Sequence, residues 1–166
     1  PDGRKNMVIN GAMQVAQRAT SATGINTSGY YTVDRIDTTF STTAGELTMS
    51  QDSDAPDGFA NALKLDCTTA DTSIAADEIF LLMYQFEGQN VQRIQKGKST
   101  AKEVTVSFYA KANASKTYVV ELKDFNNTRT CSKTFTVGTS YARHEITFPA
   151  DTTGVLNDDN ARSFSI

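Results

Sequence analysis

The 166-residue chain has few of the residues on which most enzyme chemistry depends. It contains one histidine, two cysteines and no tryptophan. These counts exclude a three-histidine metal site, a zinc ribbon and a paired-cysteine redox motif. No serine lies in a Gly-x-Ser-x-Gly nucleophile elbow. We therefore predict a protein that is not an enzyme and that needs no cofactor.

Charge and hydrophobic runs are also limited. Sixteen basic and nineteen acidic residues give a net charge of −3, and the basic residues form no long run that could follow a phosphate backbone. The longest apolar run, Ile79–Tyr84, is far shorter than the about 20 residues that a membrane-spanning helix needs. We expect no nucleic acid partner and no membrane insertion.

Alternation of apolar and polar residues is the dominant pattern in the chain. In the segment 103–111, Val104, Val106 and Phe108 share one parity, while polar residues and Tyr109 share the other. Such a period of two is typical of half-buried strands, and here it recurs between turn-forming clusters. The sequence predicts an all-β fold, an antiparallel jelly-roll-like β-sandwich of about nine to ten strands. One short helix is expected near Asn90–Gln95, where Val91 and Ile94 are three residues apart.

The predicted strands extend along the whole chain. Besides 103–111 they cover 7–9, 12–17, 31–40, 46–50, 63–67, 118–122, 130–137 and 142–148. Ile79–Phe86 is apolar on both parities and is predicted to be a central strand covered on both faces. The expected core consists of Val104, Val106, Phe108, Val120, Leu122, Phe135, Ile146 and Phe148. We interpret residues 1–166 as a single domain that is part of a longer chain.

An acidic turn supplies weak candidates for a metal site. Asp52, Asp54 and Asp57 are close enough in sequence to share a cation. The turn does not fit an EF-hand, because Pro56 occupies a ligand position and Leu63 stands where a bidentate glutamate is required. An acidic surface turn is the favoured interpretation, so no metal is predicted.

Three other features have structural rather than catalytic interpretations. His144 shares the inward parity with Ile146 and Phe148, which favours a core or rim position. Cys67 and Cys131 also fall on inward parities, so they are either two buried thiols, which we favour, or one disulfide. A basic cluster is expected to be a solvated loop; its members are Arg93, Lys96, Lys98 and Lys102.

Aromatic side chains are the remaining binding candidates. Sugar rings present apolar C–H faces that pack on exposed aromatic planes. Tyr30, Tyr109 and Phe125 are placed for exposure, and they are the candidate ligand-binding residues.

Several short stretches occur in an order that is found in one group of proteins. They are 6–13 with Gln17 and Arg18, then 31–35, 87–90, 104–111 and 147–154. In this order the chain resembles a β-sandwich domain of tailed-bacteriophage virion proteins. It is also similar to jelly-roll carbohydrate-binding modules, although Ile36 stands where such domains often carry a tryptophan.

The resemblance implies a location and a function. It implies a non-enzymatic structural domain of the virion, from a tail fibre or a capsid fibre or appendage, with a role in attachment to the host surface. The expected partners are other virion proteins, further copies of the chain, with a trimer favoured, and host surface polysaccharide. The alternative is a carbohydrate-binding module of a polysaccharide-acting protein.

Overall fold

The computed structural model describes residues 6–166. It contains one four-residue helix, α1 (Gly88–Val91), which continues into a 3₁₀ turn at Gln92–Ile94. Its ten strands are β1 (Ser21–Ile25), β2 (Ile36–Ser41), β3 (Glu46–Asp52), β4 (Ala62–Thr69), β5 (Ile79–Glu87), β6 (Val104–Ala110), β7 (Lys116–Asp124), β8 (Arg129–Val137), β9 (Ala142–Phe148) and β10 (Arg162–Ser165). All their pairings are antiparallel. The predicted all-β fold with one short helix is confirmed.

The chain divides into two compact units, of which the first ends at Tyr84 and the second covers Gln85–Ile166. In the first unit, β3 lies between β1 and β4 in a three-stranded sheet. In the same unit, β2 pairs with the first six residues of β5. The prediction of one domain over residues 1–166 stays a prediction.

The second unit contains two groups of paired strands. β10 lies between β7 and the last three residues of β5, and β7 pairs along its whole length with β8. β6 and β9 form a separate two-stranded sheet. Lys133 in β8 donates a hydrogen bond to the carbonyl of Thr147 in β9 at 2.6 Å, which links the two groups.

The core of the second unit includes half of the side chains that the alternation predicted. Val106, Val120, Leu122 and Phe148 are buried. The other four are half-buried; they are Val104, Phe108, Phe135 and Ile146. The ring centroids of Phe108 and Phe135 are 5.1 Å apart, and that of His144 lies 5.5 Å from Phe108. His144 therefore packs among aromatic rings, as its parity predicted.

The beginning of the chain differs from the prediction. The segments 7–9 and 12–17 are not strands. Asn10 and Met13 have φ of 61° and 55°, and the Asn10 side chain both accepts a hydrogen bond from the Val15 amide and donates one to the Val15 carbonyl. This turn prevents the extended backbone that the alternation suggested. In the predicted strand 31–40 only the residues from Ile36 onward are extended, and β1 was not predicted.

The predicted central strand is β5, but its expected burial on both faces is wrong for its first half. Ile79, Phe80, Leu81 and Leu82 are all exposed, whereas Met83 and Tyr84 are buried. An apolar run on both parities predicts the strand itself. Its burial depends on partner strands and covering layers that the run does not specify.

The two cysteines are also placed differently from the expectation. Cys67 in β4 and Cys131 in β8 are free thiols, and both are exposed. They are therefore neither buried nor joined in a disulfide. Among the described helices, none is long and apolar enough to cross a lipid bilayer.

Candidate functional site: a charged cavity

The second unit contains a cavity of about 280 Å³ with both apolar and charged walls. Its lining residues come from the 3₁₀ turn and the segment that follows it, from β6, β7, β8, β10 and the end of β9, and from the segment after β9. The apolar lining comprises Ile94, Val104, Leu122, Phe148, Pro149, Ala150 and Phe164; the polar lining comprises Lys96, Lys102, Asp124, Arg129, Thr130, Cys131 and Asp151.

A buried lysine organises the charged wall. The Lys96 ammonium lies 2.6 Å from a carboxylate oxygen of Asp124 and 3.1 Å from one of Asp151. It also donates to the carbonyl oxygens of Thr153 and Gly154, at 2.8 and 3.0 Å. The side chains of Lys96 and Asp124 are 8% and 1% exposed, so the prediction of a solvated loop is wrong for Lys96.

Asp124 is held from the other side by the turn that follows β7. Its carboxylate accepts hydrogen bonds from the backbone amide and the side-chain amide of Asn127, at 3.0 and 2.9 Å. The Asn127 side chain also donates to the carbonyl of Val155 at 3.0 Å. A buried carboxylate needs such donors to replace its water. The turn therefore fixes the charge that Lys96 neutralises.

Asp151 forms the rim of the cavity together with Arg129. Two nitrogens of the Arg129 guanidinium donate to the two Asp151 oxygens, at 2.9 and 3.1 Å. Burial acts to raise the pKa of Asp151, but hydrogen bonds from Arg129, the Thr153 amide and Lys96 outweigh it and lower the pKa to about 2. Asp151 is consequently ionised under all ordinary conditions and keeps both cations in place.

Two glycines allow the segment after β9 to approach this charge cluster. Gly97 and Gly154 have φ of 82° and 76°. A Cβ on Gly97 would overlap the backbone of Gly154 and Val155, and one on Gly154 would lie 2.6 Å from the Asn127 side chain. Glycine is required at both positions because the chain segments are in direct contact there.

The charges in the cavity do not balance. Its lining includes three cationic residues, Lys96, Lys102 and Arg129, and two carboxylates, Asp124 and Asp151. Lys96 and Arg129 are paired with these carboxylates, whereas the Lys102 ammonium has no acceptor among residues 6–166. The cavity therefore has a net charge of +1 in a chain whose net charge is −3.

The three candidate sugar-contact residues are distributed over both units. Tyr30 belongs to the first unit, is exposed, and has the Arg18 guanidinium 5.2 Å from its ring centroid. Tyr109 is exposed on β6, opposite Arg143 of β9.

Phe125 is half-buried rather than exposed. The Arg162 guanidinium lies 3.9 Å from its ring centroid, and the Lys123 ammonium lies 5.2 Å away. The contact with Arg162 occupies ring surface that a sugar would use.

The acidic turn is held by contacts among its own residues and with β4. Asp52 lies 3.6 Å from the Lys64 ammonium and accepts a hydrogen bond from the Asp54 amide. Within residues 6–166 no group of three or more His, Cys, Asp or Glu side chains is arranged to hold a metal ion. The interpretation of Asp52, Asp54 and Asp57 as an acidic surface turn stays a prediction.

Comparison with known proteins finds no match: no family model, no curated protein and no solved structure is similar to this chain. The resemblance to phage virion domains stays a prediction. The cavity was also not predicted from sequence, because its charged residues lie between positions 96 and 151 and each alone suggests a solvated side chain. The only local signal was the placement of Asn126 and Asn127 two and three residues after Asp124, which is typical of a turn capped by side chains.

Proposed function

We propose that this protein is a non-enzymatic structural domain of a bacteriophage virion, in a tail fibre or a capsid fibre or appendage, and that it works as one of several copies. In this role it also meets the host surface polysaccharide. The observation that carries the proposal is an open, apolar strand edge in the first unit.

This edge belongs to the first half of β5. Residues 79–84 pair with β2 along one side. β10 pairs only with residues 85–87 of β5, so residues 79–83 have no second strand partner among the residues that the structure describes. The four side chains of Ile79, Phe80, Leu81 and Leu82 are between 36% and 43% exposed.

An edge of this kind favours assembly. It combines backbone donors and acceptors that no second strand pairs within residues 6–166 with consecutive large apolar side chains, which lone soluble proteins rarely expose. A second copy of the chain can add a strand to such an edge and cover the side chains in the same step. Repeated contacts of this type suit a fibre, in which identical subunits surround an axis.

The polar groups of the structure support a role other than catalysis. Asp124 and Asp151 are both held in ion pairs with Lys96. His144 packs against the rings of Phe108 and Phe135. These groups stabilise the fold in their present arrangement.

Light scattering on the purified 166-residue chain tests the assembly. We expect a mass that is a multiple of 18.0 kDa, with three copies favoured. Leu81→Lys should reduce the mass to that of one chain, because it places a charge in the apolar edge. Ile74→Lys is the matched control; Ile74 is 78% exposed in the same unit but lies outside the strands, so the mass should not change.

Two results would contradict the proposal. One is a monomeric wild-type chain at about 100 µM, a concentration at which specific interfaces of micromolar affinity are saturated. The other is an assembly that Leu81→Lys leaves intact while circular dichroism shows a folded variant. Either result would favour the alternative, a carbohydrate-binding module that acts as a single copy.

A further inference from the structure

We propose that the charged cavity binds one acidic sugar unit, such as a uronic acid, with the sugar carboxylate on Lys102 and the ring over the apolar floor. The inference rests on the proposed function in one respect, which is that the ligand carboxylate belongs to a sugar. The anionic site and its apolar floor follow from the cavity itself.

Lys102 is the cation of the cavity that a bound anion would neutralise. The other two cations already have carboxylate partners: Lys96 lies 2.6 Å from Asp124, and Arg129 holds Asp151 through two hydrogen bonds. Lys102 lines the same cavity, is exposed, and has no acceptor in the described part of the chain. A single carboxylate would neutralise it and bring the charge of the cavity to zero.

The rest of the lining fits a small ring rather than a bare ion. Val104, Leu122 and Phe148 give the cavity an apolar floor, which suits the C–H face of a sugar. The outer atoms of Arg129 and Asp151 can pair with sugar hydroxyls. The volume of about 280 Å³ is close to the lower limit of ordinary ligand pockets, so it fits one ring and not a longer chain.

The walls of the cavity are rigid before any ligand arrives. The four acceptors around the Lys96 ammonium connect the 3₁₀ turn, β7 and the segment after β9. The backbone amide of Lys102 donates to the carbonyl of Ile94 at 2.9 Å, which anchors the segment that carries the free ammonium. A pre-formed site of this kind loses little conformational entropy on binding.

Titration calorimetry with glucuronate and galacturonate tests the proposal, with glucose, galactose and acetate as controls. We expect the two uronates to bind and the neutral sugars to bind at least about 10-fold more weakly, since they lack the charge-assisted hydrogen bond. Acetate should also bind at least 10-fold more weakly, because it lacks a ring. Equal binding of uronate and neutral sugar, equal binding of uronate and acetate, or no uronate binding overturns the proposal.

Substitution of the lysine provides the second arm of the test. Lys102→Gln should weaken uronate binding about 10-fold or more. Lys98→Gln is the matched control, because Lys98 is an exposed lysine of the same segment that does not line the cavity. A weakening that is equal in the two variants would indicate general charge attraction and would overturn the site.

The two free thiols give a readout of location within one sample. Cys131 lines the cavity, and Cys67 lies in the first unit. Glucuronate should slow the alkylation of Cys131 by iodoacetamide and leave the rate at Cys67 unchanged. Unchanged rates at Cys131 under saturating glucuronate would show that the sugar binds elsewhere.

These measurements separate the two proposals. Uronate binding by a chain that stays monomeric would support the cavity and contradict the fibre assembly. An assembled chain that binds no uronate would support the assembly and contradict the cavity.

Discussion

The carboxylate of Asp124 lies 2.6 Å from the ammonium of Lys96, and the two side chains are almost completely removed from solvent. The two residues are 28 positions apart, at the end of β7 and just after the 3₁₀ turn. A buried pair is stable only while both members are present, because an isolated charge in the interior has lost its water without gaining a partner.

Removal of the Lys96 charge should therefore destabilise the fold strongly. Lys96→Met leaves Asp124 buried without its cation, and we expect the free energy of unfolding to fall by about 3–5 kcal/mol. Urea denaturation at neutral pH measures this change. Lys98→Met, at an exposed lysine two residues away, should change the value by about 0.5 kcal/mol or less. Similar losses in the two variants would mean that Lys96 is solvated.

Asp151 should make the stability dependent on pH in the acidic range. Its pKa is about 2 in the folded chain and 3.8 ordinarily, so its contribution is fully present above about pH 4 and is lost as the pH falls through 2. Asp151→Asn should cost about 2 kcal/mol at pH 7, and this difference should shrink toward zero near pH 2.

Urea unfolding of the wild type and Asp151→Asn at pH 7, 4 and 2 checks this prediction. Asp158→Asn, at an exposed carboxylate in the same unit, serves as the control. A difference between Asp151→Asn and the wild type that stays constant from pH 7 to pH 2 would contradict the assigned ion pairs.

Two glycines allow the cost of a left-handed backbone to be separated from the cost of steric overlap. Gly97 lies beside the charge cluster, and Gly58 lies in the first unit. Gly58 and Gly97 both have positive φ, but a Cβ on Gly58 meets nothing within 4 Å, whereas one on Gly97 overlaps backbone. Gly58→Ala should cost about 1–2 kcal/mol from the left-handed conformation alone. Gly97→Ala should cost clearly more, because the segment after β9 must move. Thermal unfolding that gives equal losses would show that this segment is not packed against Gly97.

Phenylalanine substitutions test the placement of the core. Phe148 is 1% exposed, and Phe148→Ala should lower the free energy of unfolding by about 3–5 kcal/mol. Phe108 shares its inward parity with the core but is half-buried, so Phe108→Ala should cost less. Denaturant unfolding of both variants gives the order. A larger decrease in the free energy of unfolding for Phe108→Ala than for Phe148→Ala would mean that Phe108 is more deeply buried than the structure shows.

The sequence predicted the positions of strands well where apolar and polar residues alternate within one strand. Alternation in 103–111 predicted β6 to within one residue at each end, and the strands predicted at 118–122 and 130–137 lie within β7 and β8. It was misleading where a side chain redirects the backbone, as Asn10 does by bonding to Val15. Polarity patterns record which residues alternate, and they carry no information on such local hydrogen bonds.

The site was less predictable than the strands for a related reason. Lys96 was grouped with exposed lysines because its neighbours in sequence are polar, and its burial depends on Asp124 and Asp151. The exposure of Ile79–Leu82 likewise depends on which segments cover β5. Both features arise from contacts between distant segments, which one sequence does not specify.

The proposed virion role is tested most directly by mass spectrometry of phage particles purified from cells that carry the gene for this chain. We predict peptides of residues 1–166 in particles that have been freed of unassembled protein, at a copy number that is a multiple of the assembly measured in solution. Absence of these peptides from infectious particles would contradict it.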